Sequence, residues 1–355
     1  MAEKTNEELE NEFYAKDFFF SYSGLNKLLY SPQLFYNWYI LNQKEDRTDA
    51  HLVEGKAIHC LLLEKEMFDK QFAIMPGKIP AGNNKTIVDA MYKMWLDDHM
   101  DGKSNNALRL VNYSDEILQL LVDINLHQSL TDDKDLTKSG AKTGNEKRLE
   151  KVLTIDNTTY FEFLQKSSDK NIIDEASLAR CEEAVEAVKA NAGINSLLCL
   201  GGSDFEMLTV KNEMMLQGNL KDYPFGLRGI LDNFVIDHES KLVYINDLKT
   251  SGKSLTDFPE SVGYWNYWMQ AAIYLRLVMG YLMKDLQVTD LSGWTYEFRF
   301  IVIDKYNQVY PFLVTNETMS EWQTKLDEVL EEAKYHYTNR SYKLPVKFAK
   351  NEVLL

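Results

Sequence analysis

The sequence predicts an α/β protein, a mixed central β-sheet flanked by helices, with a helical insertion placed before the core strands. Three observations lead there. A chain of 355 residues, 45% of them hydrophobic, can bury a large core. Residues 77–195 are polar and helix-prone, with apolar positions at helical spacing. After Gly201 the spacing changes to that of strands, and strands then alternate with helices to the end.

Along the chain, residues 1–18 read as an acidic, flexible leader and 19–76 as an N-terminal helical part. Within it, "SYSGLNKLLYSPQLFYNWYI" predicts two short helices, with Ser23 able to cap the first and Ser31–Pro32 fitting the N-cap and first position of the second. "AHLVEGKAIHCLLLE" predicts a further helix with Leu52, Ala57 or Ile58, Leu61 and Leu62 on its apolar face and His59 within it. The insertion, 77–195, contains helical runs such as "NNKTIVDAMYKMWLDDHM" and "DEASLARCEEAVEAVKA" separated by loops such as "TDDKDLTKSGAKTGNEK".

The core, 196–337, reads as strands in "DFEMLTV", "FGLRGILDNFVID" and "KLVYINDLK", a helix from about Pro259 to Met283, strands in "WTYEFRFIVID" and "QVYPFLVT", and a closing helix over 317–337. Residues 338–355 form a basic tail with Arg340, Lys343, Lys347 and Lys350, which fits a solvated terminus better than a track for a DNA backbone.

Composition narrows the function. The formal charge of −15 argues against a surface coated for nonspecific nucleic-acid binding, yet allows a local basic channel or carboxylates gathered round metal ions. Cys60, Cys181 and Cys199 are too few and too scattered for a disulfide framework, none forms a CxxC pair, and they read as mostly buried thiols. The longest apolar runs fall far short of the roughly 20 residues of a membrane span, and the acidic start lacks a signal pattern, so a cytoplasmic protein is expected, with no membrane partner.

One stretch places chemistry. In "VYINDLKTSG", Asp247 and Lys249 stand one residue apart at the end of a predicted strand. If His238 and Glu239 make a two-residue turn, antiparallel pairing sets Asp232 opposite Ile245, and Asp247 lies two residues on, on the same face. Diagonal neighbours lie roughly 7–8 Å apart, near enough for two carboxylates to converge on one cation. A three-residue loop would change the parity. Lys249 shares that face by alternation. Carboxylates suit hard divalent ions, and a lysine beside them can orient a water or stabilise developing charge. For Asp247 and Lys249 alone an exposed strand-end ion pair is the better explanation, because so short a motif is common by chance.

Three blocks in order, "SYSGLNKLLYSPQLFYNWY" with "EGKAIHCLLLE", then "GLRGILDNFVIDHESKLVYINDLKTS", then "YWNYWMQAAIYLRL", resemble the PD-(D/E)xK nuclease superfamily, with its restriction-endonuclease-like core, and within it the phage and prophage RecE-type exonucleases. The resemblance covers most of the chain in outline and matches the middle helical region only loosely. It implies that Asp232 and Asp247 bind Mg²⁺ or Mn²⁺, that the Leu248 carbonyl and His59 are further ligands, and that Lys249 is the catalytic lysine. Gln270 and Tyr274 stand four apart, in the QxxxY arrangement of RecB-like nucleases, where they would position phosphate or the lysine; core packing of Tyr274 is the other reading. Glu206 resembles an acid that the superfamily supplies ahead of its core strands, where it would hold a second metal ion; a solvent-facing strand glutamate fits it as well.

The resemblance implies a metal-dependent exonuclease resecting linear double-stranded DNA for recombination or replication, working as a homo-oligomeric ring in a bacterial host's cytoplasm and passing single strands to an annealing protein. An endonuclease, a helicase-associated nuclease module, or a noncatalytic DNA-binding or virion scaffold protein on the same fold are the alternatives. Related nucleases that carry an iron–sulfur cluster use four cysteines, so no such cluster is expected here. Tyr264, Trp265, Tyr267 and Trp268 offer faces for stacking on bases or wedging a frayed end, although aromatics this dense on a helix more often fill a core.

Overall fold

A computed structural model describes residues 4–44, 50–100, 109–200 and 207–350. Its strands are β1 (Phe19–Phe20), β2 (Phe72–Ile74), β3 (Asn171–Ile173), β4 (Leu208–Asn219), β5 (Gly226–Asp237), β6 (Leu242–Thr250), β7 (Thr295–Ile303) and β8 (Val309–Val314). The chain divides into two compact units, one of residues 1–49, 58–65 and 182–355, the other of 50–57 and 66–181.

The first unit holds a six-stranded mixed sheet flanked by helices. β5 pairs antiparallel with β4 along its whole length, and its end pairs antiparallel with β6. β6 then runs parallel to β7, and β7 antiparallel to β8. β1 adds two parallel pairs at the start of β5. From Leu231 to Ile236 every residue of β5 is buried, as expected of a strand covered on both faces. Helix Tyr267–Lys284 lays Met269, Ala272, Ile273 and Val278 into a core shared with Phe234, Phe300, Leu326 and Leu330.

The second unit has its own apolar centre, built from Ile87, Met91, Leu110, Ile117, Leu121 and Phe161 of helices Gly82–Met100, Ser114–Asp123 and Ile155–Ser167 and the short turn between the first two. β2 and β3 form a small parallel pair within it, an element that the residue pattern does not predict. Among the described residues, no helix is long and apolar enough to cross a membrane.

Four local expectations are corrected. Residues Asn6–Tyr14, expected as a flexible leader, form a helix, because Thr5 and Glu8 make a reciprocal capping box and the Tyr14 hydroxyl lies 2.7 Å from that of Tyr342. Helix Tyr22–Tyr30 is capped by Ser21, whose hydroxyl accepts from the Gly24 amide at 3.2 Å, and not by Ser23; Ser31 and Pro32 do open the next helix. The helix expected from Pro259 to Met283 is broken into Phe258–Tyr264 and Tyr267–Lys284, with Asn266 in the left-handed region at φ 57°. Finally, the β5–β6 connection is four residues long, 238–241, and Phe234, not Asp232, faces Ile245. Lengthening the turn by two preserves parity, so Asp232 and Asp247 still share a face, moved from diagonal to directly opposed positions.

Candidate metal centre

The site grows from that register. Asn233 pairs with Asn246, so the next step along the ladder sets Asp232 against Asp247. The strands do more than aim these side chains: the Leu248 amide donates to Asp232 Oδ2 at 2.7 Å, tying one acid to the backbone that carries the other. Asp247 is fully buried and Asp232 8% exposed. Burial pushes both carboxyls above their ordinary range, Asp247 to about 6, against the opposing pull of Lys249 and His59.

Lys249 projects from the same face and its ammonium pairs with Asp247 Oδ2. Burial pulls its pKa down, but the Asp247 and Asp232 carboxylates outweigh burial and hold it above the usual lysine value, so it is a cation at neutral pH. The Tyr267 ring lies 4.9 Å from the ammonium. Asp247 Oδ1 accepts from Gln270 Nε2 at 2.8 Å, and the same nitrogen lies 2.9 Å from the Tyr274 hydroxyl. The i, i+4 spacing of Gln270 and Tyr274 puts both on the sheet-facing side of their helix. Tyr274 reaches that position because Gly229 lies under its ring: a Cβ there would come within 2.6 Å of Tyr274 Cε1.

His59 completes the group from helix Ala50–Leu63, its Nδ1 3.7 Å from Asp232 Oδ2 and 3.7 Å from Glu213 Oε1. Burial would depress its pKa, yet the Asp232 and Glu213 carboxylates more than offset that and raise it. Ligand atoms of His59, Glu213 and Asp232 all lie within 4.8 Å of one another. These separations are too long for direct hydrogen bonds and suit donors arranged round a shared cation, whose bonds to oxygen run roughly 2.0–2.6 Å. A donor set of one imidazole and several carboxylates fits a divalent metal ion.

Glu213 is the member that sequence reasoning missed. Glu206, the acid expected ahead of the core strands, lies outside the described residues. Glu213 sits on β4 at φ 46°, between the paired positions Asn212 and Met214, and so opposite Asp232. Its only sequence signal is the β4–β5 register, which a chain read one strand at a time does not reveal. Of the four aromatics, Trp268 is buried at 3% exposure, whereas Tyr264 and Trp265 are 77% and 51% exposed.

No family model and no curated protein matches the chain. Among solved structures, a "Putative exonuclease" from Eubacterium rectale is similar over 100% of this chain and 95% of its own, with 11% identity and a TM-score of 0.43.

Proposed function

We propose that this protein is a Mg²⁺- or Mn²⁺-dependent deoxyribonuclease that hydrolyses phosphodiester bonds, and that it acts as an exonuclease on linear double-stranded DNA. The observation that carries the reading is the convergence on one sheet face of two buried carboxylates, Asp232 and Asp247, with a charged lysine, beside His59 and Glu213. A buried lysine–carboxylate pair alone is a structural contact. Next to a cluster of metal-ligating groups it becomes a place where a bound cation and the Lys249 ammonium would meet a phosphate's negative charge from two sides.

His59, Glu213, Asp232 and Asp247, with the Leu248 carbonyl, would hold the ion. A divalent cation there supplies neutralisation of a phosphoryl oxygen and lowers the pKa of a neighbouring water. Lys249 orients the attacking water or stabilises the charge that develops as it attacks, and Asp247 fixes the ammonium for that role. Gln270 locks the other oxygen of Asp247, and Tyr274 supports Gln270, so both are positioning residues. The preference for DNA ends, a ring assembly and hand-over of the surviving strand to an annealing protein follow from the resemblance to RecE-type exonucleases.

The test is degradation of end-labelled linear duplex beside a covalently closed circle, with Mg²⁺ or EDTA. Loss of the linear substrate alone is expected, abolished by EDTA and by Asp247→Ala and strongly slowed by Glu213→Gln. Cleavage of the circle would make the protein an endonuclease. Inertness toward both, with no binding of millimolar Mn²⁺ by calorimetry, would reduce it to a noncatalytic DNA-binding or scaffold protein.

A further inference from the structure

The helix break at Trp265–Asn266 builds a second feature. With the chain in the left-handed region at Asn266, the Trp265 carbonyl is turned out of the helical ladder, and the Tyr22 hydroxyl donates to it. Asn266 Nδ2 donates to Asn26 Oδ1 at 2.8 Å. These bonds clasp helix Tyr22–Tyr30 to the break, and between them, the following helix and the segment down to Lys44 lies a groove of about 1220 Å³.

Its lining is unusual for this chain. Tyr30, Tyr264 and Trp265 stand out into solvent, Tyr30 at 84% exposure, while Asn26, Asn37 and Gln43 add amides. Lys27 and Lys44 are the charged residues, and among the described lining residues none is acidic, in a protein with a net charge of −15. Lys27 holds its ammonium 4.2 Å from the Trp38 ring. Exposed aromatic faces alternating with amides and cations are the means by which proteins hold unpaired nucleotides, the rings stacking on bases and the lysines meeting phosphates. The groove also adjoins the metal centre: Tyr22 in its wall lies 6.5 Å, ring to ring, from Tyr267, the same ring that faces Lys249.

We infer that this groove binds single-stranded DNA, stacking bases on Trp265, Tyr264 and Tyr30 and pairing phosphates with Lys27 and Lys44. It thereby holds one separated strand of the substrate next to the scissile position. That second half rests on the nuclease reading; the binding itself does not.

The experiment is fluorescence anisotropy in EDTA, where nothing is cut, comparing labelled oligo-dT with an oligomer of equal length made of abasic sites. Oligo-dT is expected to bind at least roughly tenfold more tightly, the worth of one stacked base or more. Trp265→Ala and Tyr30→Ala should each erase most of that difference while leaving the abasic oligomer's affinity unchanged, and Lys27→Ala should weaken both ligands. Both aromatic side chains are exposed and the Trp265 carbonyl survives substitution, so unchanged melting curves should accompany these results. Equal affinity for the two oligomers, or indifference to both aromatic substitutions, would overturn the groove. A protein that binds oligo-dT in this way yet cleaves no DNA would keep the groove and lose the nuclease, so the two readings fail separately.

Discussion

Neighbouring positions on the same three strands have opposite fates. Asn212, Asn233 and Asn246 form one row across β4, β5 and β6; Glu213, Asp232 and Asp247, each one residue away, form another. Asn233 donates to Asn212 Oδ1 at 2.8 Å and Asn246 to Asn233 Oδ1 at 2.8 Å, and the same amides reach the carbonyls of Leu63, Leu198 and Leu197 at 3.0, 3.0 and 3.1 Å. An amide both donates and accepts, so a row of them links hand to hand. A row of carboxylates only accepts and repels itself, so it must recruit positive partners: the Lys249 ammonium on Asp247, with the His59 imidazole set beside Asp232 and Glu213, and a metal ion on the proposed reading. One row fastens the sheet to its surroundings, and the other concentrates charge at the site proposed to bind the metal ion.

The sharpest way to break this contrast is Lys249→Met. It should lower the turnover of linear duplex about a thousandfold, the scale of removing one charge-stabilising donor, without weakening Mn²⁺ affinity measured by calorimetry. Weakened Mn²⁺ binding would instead make the lysine a structural support for the acids. Next in size, Asn233→Ala leaves buried partners unmet on both sides and should cost about 3 kcal/mol of stability, read as a melting point several degrees lower. Turnover per folded molecule should stay within about threefold; a collapse of turnover at unchanged stability would erase the distinction between the rows.

The smallest effect is one of pH. Asp247 titrates at about 6 in the folded chain, above its ordinary 3.8, so it is protonated over a window where a free carboxylate is not. A cation must displace that proton, and Mn²⁺ affinity should therefore weaken as pH falls through about 6, by at most tenfold per unit, and level off above it. Affinity that stays flat across that window would show that Asp247 is not a ligand.

Much of this arrangement is legible in the sequence. Alternation along a strand is a local rule, which is why Asp232, Asp247 and Lys249 come to one face as expected even though the turn between their strands is four residues and not two. What the sequence conceals is what depends on distant pairing. Glu213 joins the site only through the register of β4 on β5, and the break at Asn266 is set by tertiary hydrogen bonds to Tyr22 and Asn26 that override a continuous helical pattern. The small β2–β3 pair joins segments about a hundred residues apart, each too short to announce itself. The N-terminal helix, by contrast, has its capping box in plain view in "TNEE", masked by an acidic composition that reads as solvated.

Gly229 carries no functional group, and no search for reactive side chains would stop at it. Yet even an alanine there would force the Tyr274 ring aside, and with it the support of Gln270 on Asp247. In a saturation mutagenesis scored on DNA degradation, position 229 should therefore tolerate as little as the acids themselves, making it a mutational fingerprint of the site written in a residue without chemistry.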